Sequence, residues 1–191
     1  RFFLVGHSDV VADMPYVLPG VADAWAGTSS TAGLRTHTFN IFFTLAGCRG
    51  RDDWRLVFDF VDSHPVRPPL MRVVVNGKTF TSRLTAGGGD ESLAGDYSKA
   101  CHPQLELILD KDLIHSGHNQ ISITPVEGSW SILDCITLKS ENNVELKTDY
   151  SNIYLTRVEV ADYLIQNGES QPLLVGVEHI AGKPNLEVVL D

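Results

Sequence analysis

Two aromatic residues, Trp25 and Tyr97, lie in irregular segments where no strand pattern requires them in a core. A flat ring can stack on the apolar face of a pyranose, while neighbouring polar groups hydrogen-bond the sugar hydroxyls. We therefore predict ligand contacts for both rings, with packing over the edge of a β-sheet as the alternative for Trp25. The polar partners predicted for such a ligand are Asp23, Arg83 and Asp96.

A second candidate is the acidic pair Asp90 and Glu91, which follows three consecutive glycines. The segment is not a phosphate-binding P-loop, because it lacks the lysine and the serine or threonine of that motif. Carboxylate oxygens are ligands that calcium prefers in proteins. We predict a calcium site at Asp90 and Glu91, with a solvated loop or a sugar contact as the alternatives.

Two other polar motifs do not complete a catalytic or metal site. In the run from Gly6 to Val10, a nucleophile elbow would need a glycine where Val10 stands. His115 and His118 have no further ligands at spacings that suit zinc. No catalytic constellation is visible in the sequence, so the chain itself is expected to be non-catalytic.

Composition argues against several classes of partner. The chain has 191 residues and a formal net charge of -9, which disfavours nucleic acids and anionic membrane surfaces. No apolar run approaches the roughly 18 residues that a membrane-spanning helix needs. Because a strand pattern follows Arg1 at once, we interpret the chain as a piece of a longer protein, whose targeting signal is not visible.

The elements that would position these residues are short strands. Apolar residues alternate over residues 39–45 and 54–61, which predicts strands with one face toward a core. Trp54 and Trp130 are in phase with such apolar positions and are predicted to be buried. Cys135 also lies inside a strand pattern, so we expect it to be a core thiol.

Two hairpins are predicted from turn signals. Asn76 and Gly77 are flanked by apolar alternation, which is the strongest short signal for a type I′ turn. Farther along, residues 117–138 resemble two strands that fold back on each other. The turn is expected between Pro125, which cannot donate to a sheet ladder, and Gly128.

Repeated short strands joined by Gly/Pro loops indicate an all-β fold, an antiparallel β-sandwich over residues 1–139. Residues 140–191 begin with a polar linker and then contain three strand patterns, at residues 150–160, 173–179 and 186–190. Three strands cannot close a sandwich, so we predict a linker and a partial second β domain. The alternative is that these strands extend the first sandwich.

Several short segments, taken in their order, resemble one known family. They are Phe39-Asn40-Ile41-Phe42-Phe43, Val73-Val74-Val75-Asn76-Gly77, Gly95-Asp96-Tyr97 and Gly128-Ser129-Trp130. Over residues 1–139 this succession resembles the C-terminal jelly roll of family 4 polysaccharide lyases, the rhamnogalacturonan lyases. The resemblance implies a galactose-binding-like, carbohydrate-binding-module-like domain, with the catalytic residues in another domain. The segment after residue 140 departs from the family pattern.

The resemblance leads to two functional hypotheses. The first is a non-catalytic, carbohydrate-binding-like accessory domain of a polysaccharide lyase or glycoside hydrolase that degrades pectin. Its partners would be a plant-type polysaccharide or oligosaccharide and the catalytic domain of the same protein. Its location would be secreted or periplasmic. The alternative is a structural sandwich that docks onto a catalytic domain without binding sugar.

Overall fold

The computed structural model describes residues 1–27, 36–48, 53–147, 153–160 and 171–179. The chain divides into two compact units, Arg1–Thr148 and Asp149–Asp191. In chain order the elements are β1 (Phe2–Leu4), α1 (Val10–Asp13), β2 (Val17–Leu18), β3 (Phe39–Ala46), β4 (Trp54–Ser63), β5 (Leu70–Val75), β6 (Lys78–Arg83), β7 (Gln104–Leu109), β8 (Gly117–Glu127), β9 (Ser131–Ser140), β10 (Glu145–Lys147), β11 (Ile153–Val160) and β12 (Leu173–His179). In the part of the chain that the structure describes, short 3₁₀ helices at Ala24–Ala26 and Asp90–Ala94 lie in loops.

The first unit contains two sheets. One has the strand order β1-β3-β8-β5-β6, with β10 also paired to β3, and the other has the order β2-β9-β4-β7. All of these pairs are antiparallel except that of β1 with β3, which is parallel. The pairing of β10 with β3 holds part of the predicted polar linker against the first sheet.

Apolar side chains of both sheets form one core. The first sheet contributes Phe39, Ile41, Phe43, Met71, Val73, Val75, Ile121 and Ile123, and the second contributes Leu18, Trp54, Leu56, Phe58, Phe60, Leu105, Leu109 and Leu133. Burial of two facing apolar layers is the main favourable term in such a fold. The predicted all-β sandwich is therefore confirmed, as is the burial of Trp54 and Trp130.

The hairpin predicted at Asn76-Gly77 is confirmed. Val75 pairs with Lys78, and both turn residues have positive φ, 44° at Asn76 and 89° at Gly77. A type I′ turn needs this conformation at both central positions, and asparagine and glycine tolerate it best. Local sequence was sufficient here because the turn and its two strands are contiguous.

The hairpin predicted for residues 117–138 is wrong. Strand β8 pairs with β3 and β5, whereas β9 pairs with β2 and β4 in the other sheet. The chain crosses between the sheets at Gly128, where φ is 80°. Pro125 lies inside β8, beside an irregularity in the pairing with β5, and a proline is tolerated where a ladder is interrupted.

The expectation that Cys135 is buried is also wrong, because its side chain is exposed. Leu133 pairs with Phe60 and Cys135 pairs with Asp59, so Asp134 is an extra residue in β9. Such a bulge shifts the alternation of the strand by one position. Leu133 therefore faces the core, and Cys135 faces outward beside Asp59.

In the second unit, β11 and β12 form an antiparallel pair with an irregularity between Leu155 and Arg157. Both strands were predicted, and the third predicted strand, residues 186–190, lies outside the described residues. Among the residues that the structure describes, no helix is both long and apolar enough to cross a membrane.

Candidate functional site

A surface cavity of about 560 Å³ opens at the rim of the sandwich. Its lining comes from both sheets and from the segments before and between them: Arg1, Pro15, Tyr16, Val17, Leu18, Pro19, Trp25, Ala26, Thr36, His37, Thr38 and Phe39. Small-molecule sites in proteins have volumes of about 300–1,000 Å³. The cavity is therefore large enough to bind a small ligand.

Trp25 is one of the residues that line this cavity. It lies in the 3₁₀ helix Ala24–Ala26, which ends at Gly27 with φ 75° and a hydrogen bond from Gly27 N to Ala24 O of 3.2 Å. So short a helix has no apolar face of its own, and the side chain is 65% exposed. His37 Nε2 lies 2.8 Å from Ala26 O and joins this turn to the start of β3. The ligand contact of Trp25 stays a prediction.

Tyr16 lines the same cavity and was not predicted. It is 49% exposed, and its hydroxyl forms a hydrogen bond with the hydroxyl of Tyr97. Partial burial, this hydrogen bond, and the charges of Tyr97 and Asp134 raise the pKa of Tyr16 to about 12. Through Tyr16, the structure places the predicted residue Tyr97 beside the cavity that Trp25 lines. The signal in the sequence that could have identified Tyr16 is an aromatic residue directly after Pro15 in an irregular segment.

Asp23 lies beneath this segment rather than among the described residues that line the cavity. Its buried carboxylate accepts hydrogen bonds from Gly20 N, at 2.7 Å, and from Ser129 Oγ. At Gly20 a Cβ atom would lie 2.5 Å from the carbonyl oxygens of Gly128 and Ser129, so only glycine fits this contact. Asp23 therefore anchors the aromatic loop, which we define as residues 15–27, to the connection between β8 and β9.

The glycine-rich loop, residues 85–103, has a different anchor. The carboxylate of Asp62 is fully buried and accepts hydrogen bonds from Ser92 Oγ at 2.6 Å, Gly88 N at 2.9 Å and Cys101 N at 3.4 Å. Burial alone would raise the pKa of Asp62, but these hydrogen bonds and one from Ser63 N outweigh it and lower the pKa. Close packing supports the arrangement, since a Cβ atom at Gly87 would lie 1.6 Å from Ser63 O.

Sequence reasoning missed Asp62, although a signal was present. Apolar residues alternate along β4 as Trp54, Leu56, Phe58 and Phe60, and Asp62 continues the same phase. A carboxylate at an apolar position must find hydrogen-bond donors, because an unpaired buried charge is costly. The strand predicted from the sequence ends at Val61, one residue before Asp62, so the prediction does not include a carboxylate at an apolar position.

The acidic residues of the glycine-rich loop lie at its surface. Glu91 Oε1 accepts from Lys99 Nζ at 3.0 Å, and Asp96 Oδ1 accepts from Ser98 N at 3.0 Å. A hydrogen bond from its own backbone N–H and the pairing with Lys99 lower the pKa of Glu91, and hydrogen bonds from Ser98 lower that of Asp96. Asp90 is exposed.

Calcium at Asp90 and Glu91 stays a prediction. Over the described ranges, no group of three or more His, Cys, Asp and Glu side chains is arranged to hold a metal ion. One of the two predicted ligands, Glu91, also binds the ammonium group of Lys99.

Arg83, the remaining predicted site residue, is not brought to the cavity lining. Its guanidinium donates from Nη1 to Pro68 O at 3.0 Å and forms an ion pair with Glu127 through Nη2. These contacts place it at the end of β6, where β8 ends. The structure thus places Trp25 and Tyr16 in the lining of one cavity and joins Tyr16 to Tyr97 by a hydrogen bond.

No protein-family model and no curated protein matches this chain. Two solved structures are similar to part of it. Dimeric latent PorU from Porphyromonas gingivalis is 15% identical with a TM-score of 0.37, and the similarity covers 56% of this chain and 10% of that chain. The CBM35 from Abf62 of Cellvibrio japonicus is 12% identical with a TM-score of 0.32, and the similarity covers 56% of this chain and 70% of that chain. Likenesses this distant carry no argument about function, and neither confirms the resemblance to family 4 polysaccharide lyases.

Proposed function

We propose that the first unit is a carbohydrate-binding domain that holds a polysaccharide or oligosaccharide at the rim cavity. The observation that carries the proposal is the exposed ring of Trp25 in a cavity that Tyr16 also lines. Exposing a large aromatic ring leaves apolar surface in water, and a sugar face can cover that surface. The two rings supply apolar contacts, and nearby polar groups supply hydrogen bonds to hydroxyls.

The polar groups of the cavity suit a neutral or acidic sugar. Although the whole chain carries a formal charge of -9, the described lining contains Arg1 and His37 and no carboxylate. Thr36 and Thr38 add hydroxyl groups, and Thr38 Oγ1 is also 2.9 Å from Thr124 Oγ1. An acidic sugar would therefore meet no carboxylate in this lining, which supports a pectic polysaccharide as the ligand class.

We assign this domain an accessory role in a polysaccharide-degrading enzyme, a lyase or a glycoside hydrolase, with catalysis in another domain. A domain that binds the polymer raises the local concentration of substrate for a linked catalytic domain. This role places the protein outside the cytoplasm, where such polymers are found. Affinity is expected to be modest, because few contacts must offset the ordering of a flexible sugar chain.

The alternative, docking without sugar binding, would need a large apolar face. The outer face of the second sheet instead carries an ion pair between Arg55 and Glu106, at 3.0 Å, together with Lys139, which pairs with Arg55 across the strands. The exposed apolar residue on that face is Ile108, beside Arg55. The exposed ring of Trp25 in a cavity favours sugar binding over docking.

Calorimetric titration with rhamnogalacturonan oligosaccharides, galactan and arabinan tests the proposal. We expect saturable binding that falls at least about tenfold in Trp25→Ala, since tenfold is about 1.4 kcal/mol and an aromatic anchor that the ligand covers contributes about 2 kcal/mol or more. Ile108→Ala is the matched control, because it removes an exposed apolar side chain from β7, which contributes nothing to the described lining. Absence of heat for every glycan at millimolar concentration, with the fold intact, would overturn the proposal. Repeating the titration with calcium and with a chelator tests the calcium prediction separately.

A further inference from the structure

We propose that the binding surface continues from the cavity over Tyr16 to Tyr97, so that the domain recognises consecutive sugar units of a chain rather than a single terminal sugar. This inference rests on the proposed function and adds the class of ligand. The geometry behind it is a series of three exposed aromatic residues on two loops. Trp25 and Tyr16 line one cavity, and the hydroxyl of Tyr16 contacts that of Tyr97.

The contact between the two tyrosines is long-range in sequence. Tyr16 and Tyr97 are separated by 81 positions, and Tyr97 is 41% exposed. An aromatic residue that serves packing alone is usually covered by its neighbours, whereas each of these three keeps a large exposed fraction. Tyr97 lies outside the described lining of the cavity, so a sugar unit next to the one in the cavity can contact it.

A buried aspartate attaches each of the two loops to the sandwich, which restricts the movement of their rings. Asp23 ties the aromatic loop to Ser129, and Asp62 ties the glycine-rich loop to β4 through Ser92 and Gly88. The bond between the two tyrosines then joins the loops at the surface. A surface arranged before binding loses little entropy when an extended chain settles on it.

The tyrosine pair also supplies polar contacts. A tyrosine hydroxyl is protonated at neutral pH, so those of Tyr16 and Tyr97 can each donate a hydrogen bond as well as accept one. Each sugar unit can thus stack on a ring and exchange a hydrogen bond with the tyrosine pair. Affinity should therefore rise with chain length until both loops are covered and then reach a plateau.

Titration with rhamnogalacturonan oligosaccharides of increasing length, from the disaccharide to the octasaccharide, tests this inference on the full chain. For the wild type we expect at least a tenfold gain in affinity between the shortest and longest ligands. Tyr97→Ala should bind the disaccharide within twofold of the wild type and lose most of the gain with length. Tyr97→Phe, which keeps the ring and removes the hydroxyl, should keep most of the gain.

The control is Leu93→Ala, which removes an exposed apolar side chain from the same glycine-rich loop and should leave the length dependence unchanged. Thermal unfolding of each variant confirms that its fold is intact. If Tyr97→Ala keeps the full gain while Trp25→Ala abolishes binding, this inference is wrong and the proposed function stands. If no oligosaccharide of any length binds the wild type, and galactan and arabinan do not bind it either, the proposed function fails together with this inference.

Discussion

The aromatic loop and the glycine-rich loop are both anchored by a buried aspartate. In the first case the aspartate belongs to the loop, and in the second it belongs to a strand of the sandwich. In the aromatic loop, Asp23 belongs to the loop and reaches Ser129 in the connection between the sheets. In the glycine-rich loop, the carboxylate is that of Asp62 in strand β4, and the loop supplies the donors Gly88, Ser92 and Cys101. The carboxylate of the first loop thus makes one contact outside its own loop, whereas the second loop is gathered around a single carboxylate at three places.

This difference indicates what each loop can tolerate. The donors of the glycine-rich loop, from Gly88 to Cys101, attach most of this loop to the core. Its attachment therefore does not depend on its acidic surface residues. The aromatic loop is attached by β2, which pairs with β9, and by Ala22 N, which donates to Gly128 O at 2.9 Å, so Asp23 is one of several attachments. Substitutions at the two anchors and at the surface should therefore have effects of different size.

The largest effect is expected for Asp62→Ala. The substitution leaves buried donors of the glycine-rich loop without an acceptor, and hydrogen bonds to a charged group contribute about 1.5–3 kcal/mol each. We expect the free energy of unfolding, measured in urea, to fall by about 3 kcal/mol or more. Asp59→Ala is the control in the same strand, since Asp59 accepts from Gln104 at the surface. Equal, small losses in both variants would show that Asp62 is not an anchor.

A smaller loss is expected for Asp23→Ala, which removes the acceptor of Gly20 N and Ser129 Oγ. We expect about 1–3 kcal/mol in the free energy of unfolding and weaker sugar binding, because Trp25 follows two residues later. Asp23→Asn keeps one acceptor oxygen and should recover part of both. Unchanged stability and weaker binding in Asp23→Ala would instead mean that Asp23 contacts the sugar, as the sequence predicted.

Acid should weaken the glycine-rich loop through Asp62. The folded state lowers the pKa of this carboxyl, so its contribution is fully present above the unfolded-state value of about 3.9 and is lost as the pH falls through the lower folded value. The unfolding free energy of the wild type should therefore decline more steeply below about pH 4 than that of Asp62→Asn. Parallel profiles from urea unfolding at several pH values would contradict this assignment.

The smallest effect is expected at the surface of the same loop. Glu91 and Lys99 form an exposed ion pair, and such pairs contribute little because water and salt screen them. Glu91→Gln should leave the midpoint of thermal unfolding unchanged at moderate and at high salt. A loss comparable to that of Asp23→Ala would mean that the loop depends on surface charge as well as on Asp62.

The candidate site could be predicted in part. Trp25 and Tyr97 were found because aromatic residues in polar, glycine-containing segments are conspicuous, but their proximity through Tyr16 was not visible. The sequence predicts Asp23 as a polar contact of a ligand, whereas in the structure its carboxylate accepts hydrogen bonds from Gly20 and Ser129. The phase of β4 indicates Asp62, but its donors in the glycine-rich loop lie 26 to 39 residues away along the chain, and no local pattern indicates them.

Within this chain, the sequence by itself determined what depends on neighbouring residues: the alternating strands, the turn at Asn76-Gly77 and the all-β class. The tertiary structure decided what depends on distant pairing. It separated β8 and β9 into different sheets, turned Cys135 outward through the bulge at Asp134, and joined Tyr16 to Tyr97. Side-chain alternation and turn preferences act over a few residues, whereas strand partners, bulges and loop contacts are chosen by packing across the whole sandwich.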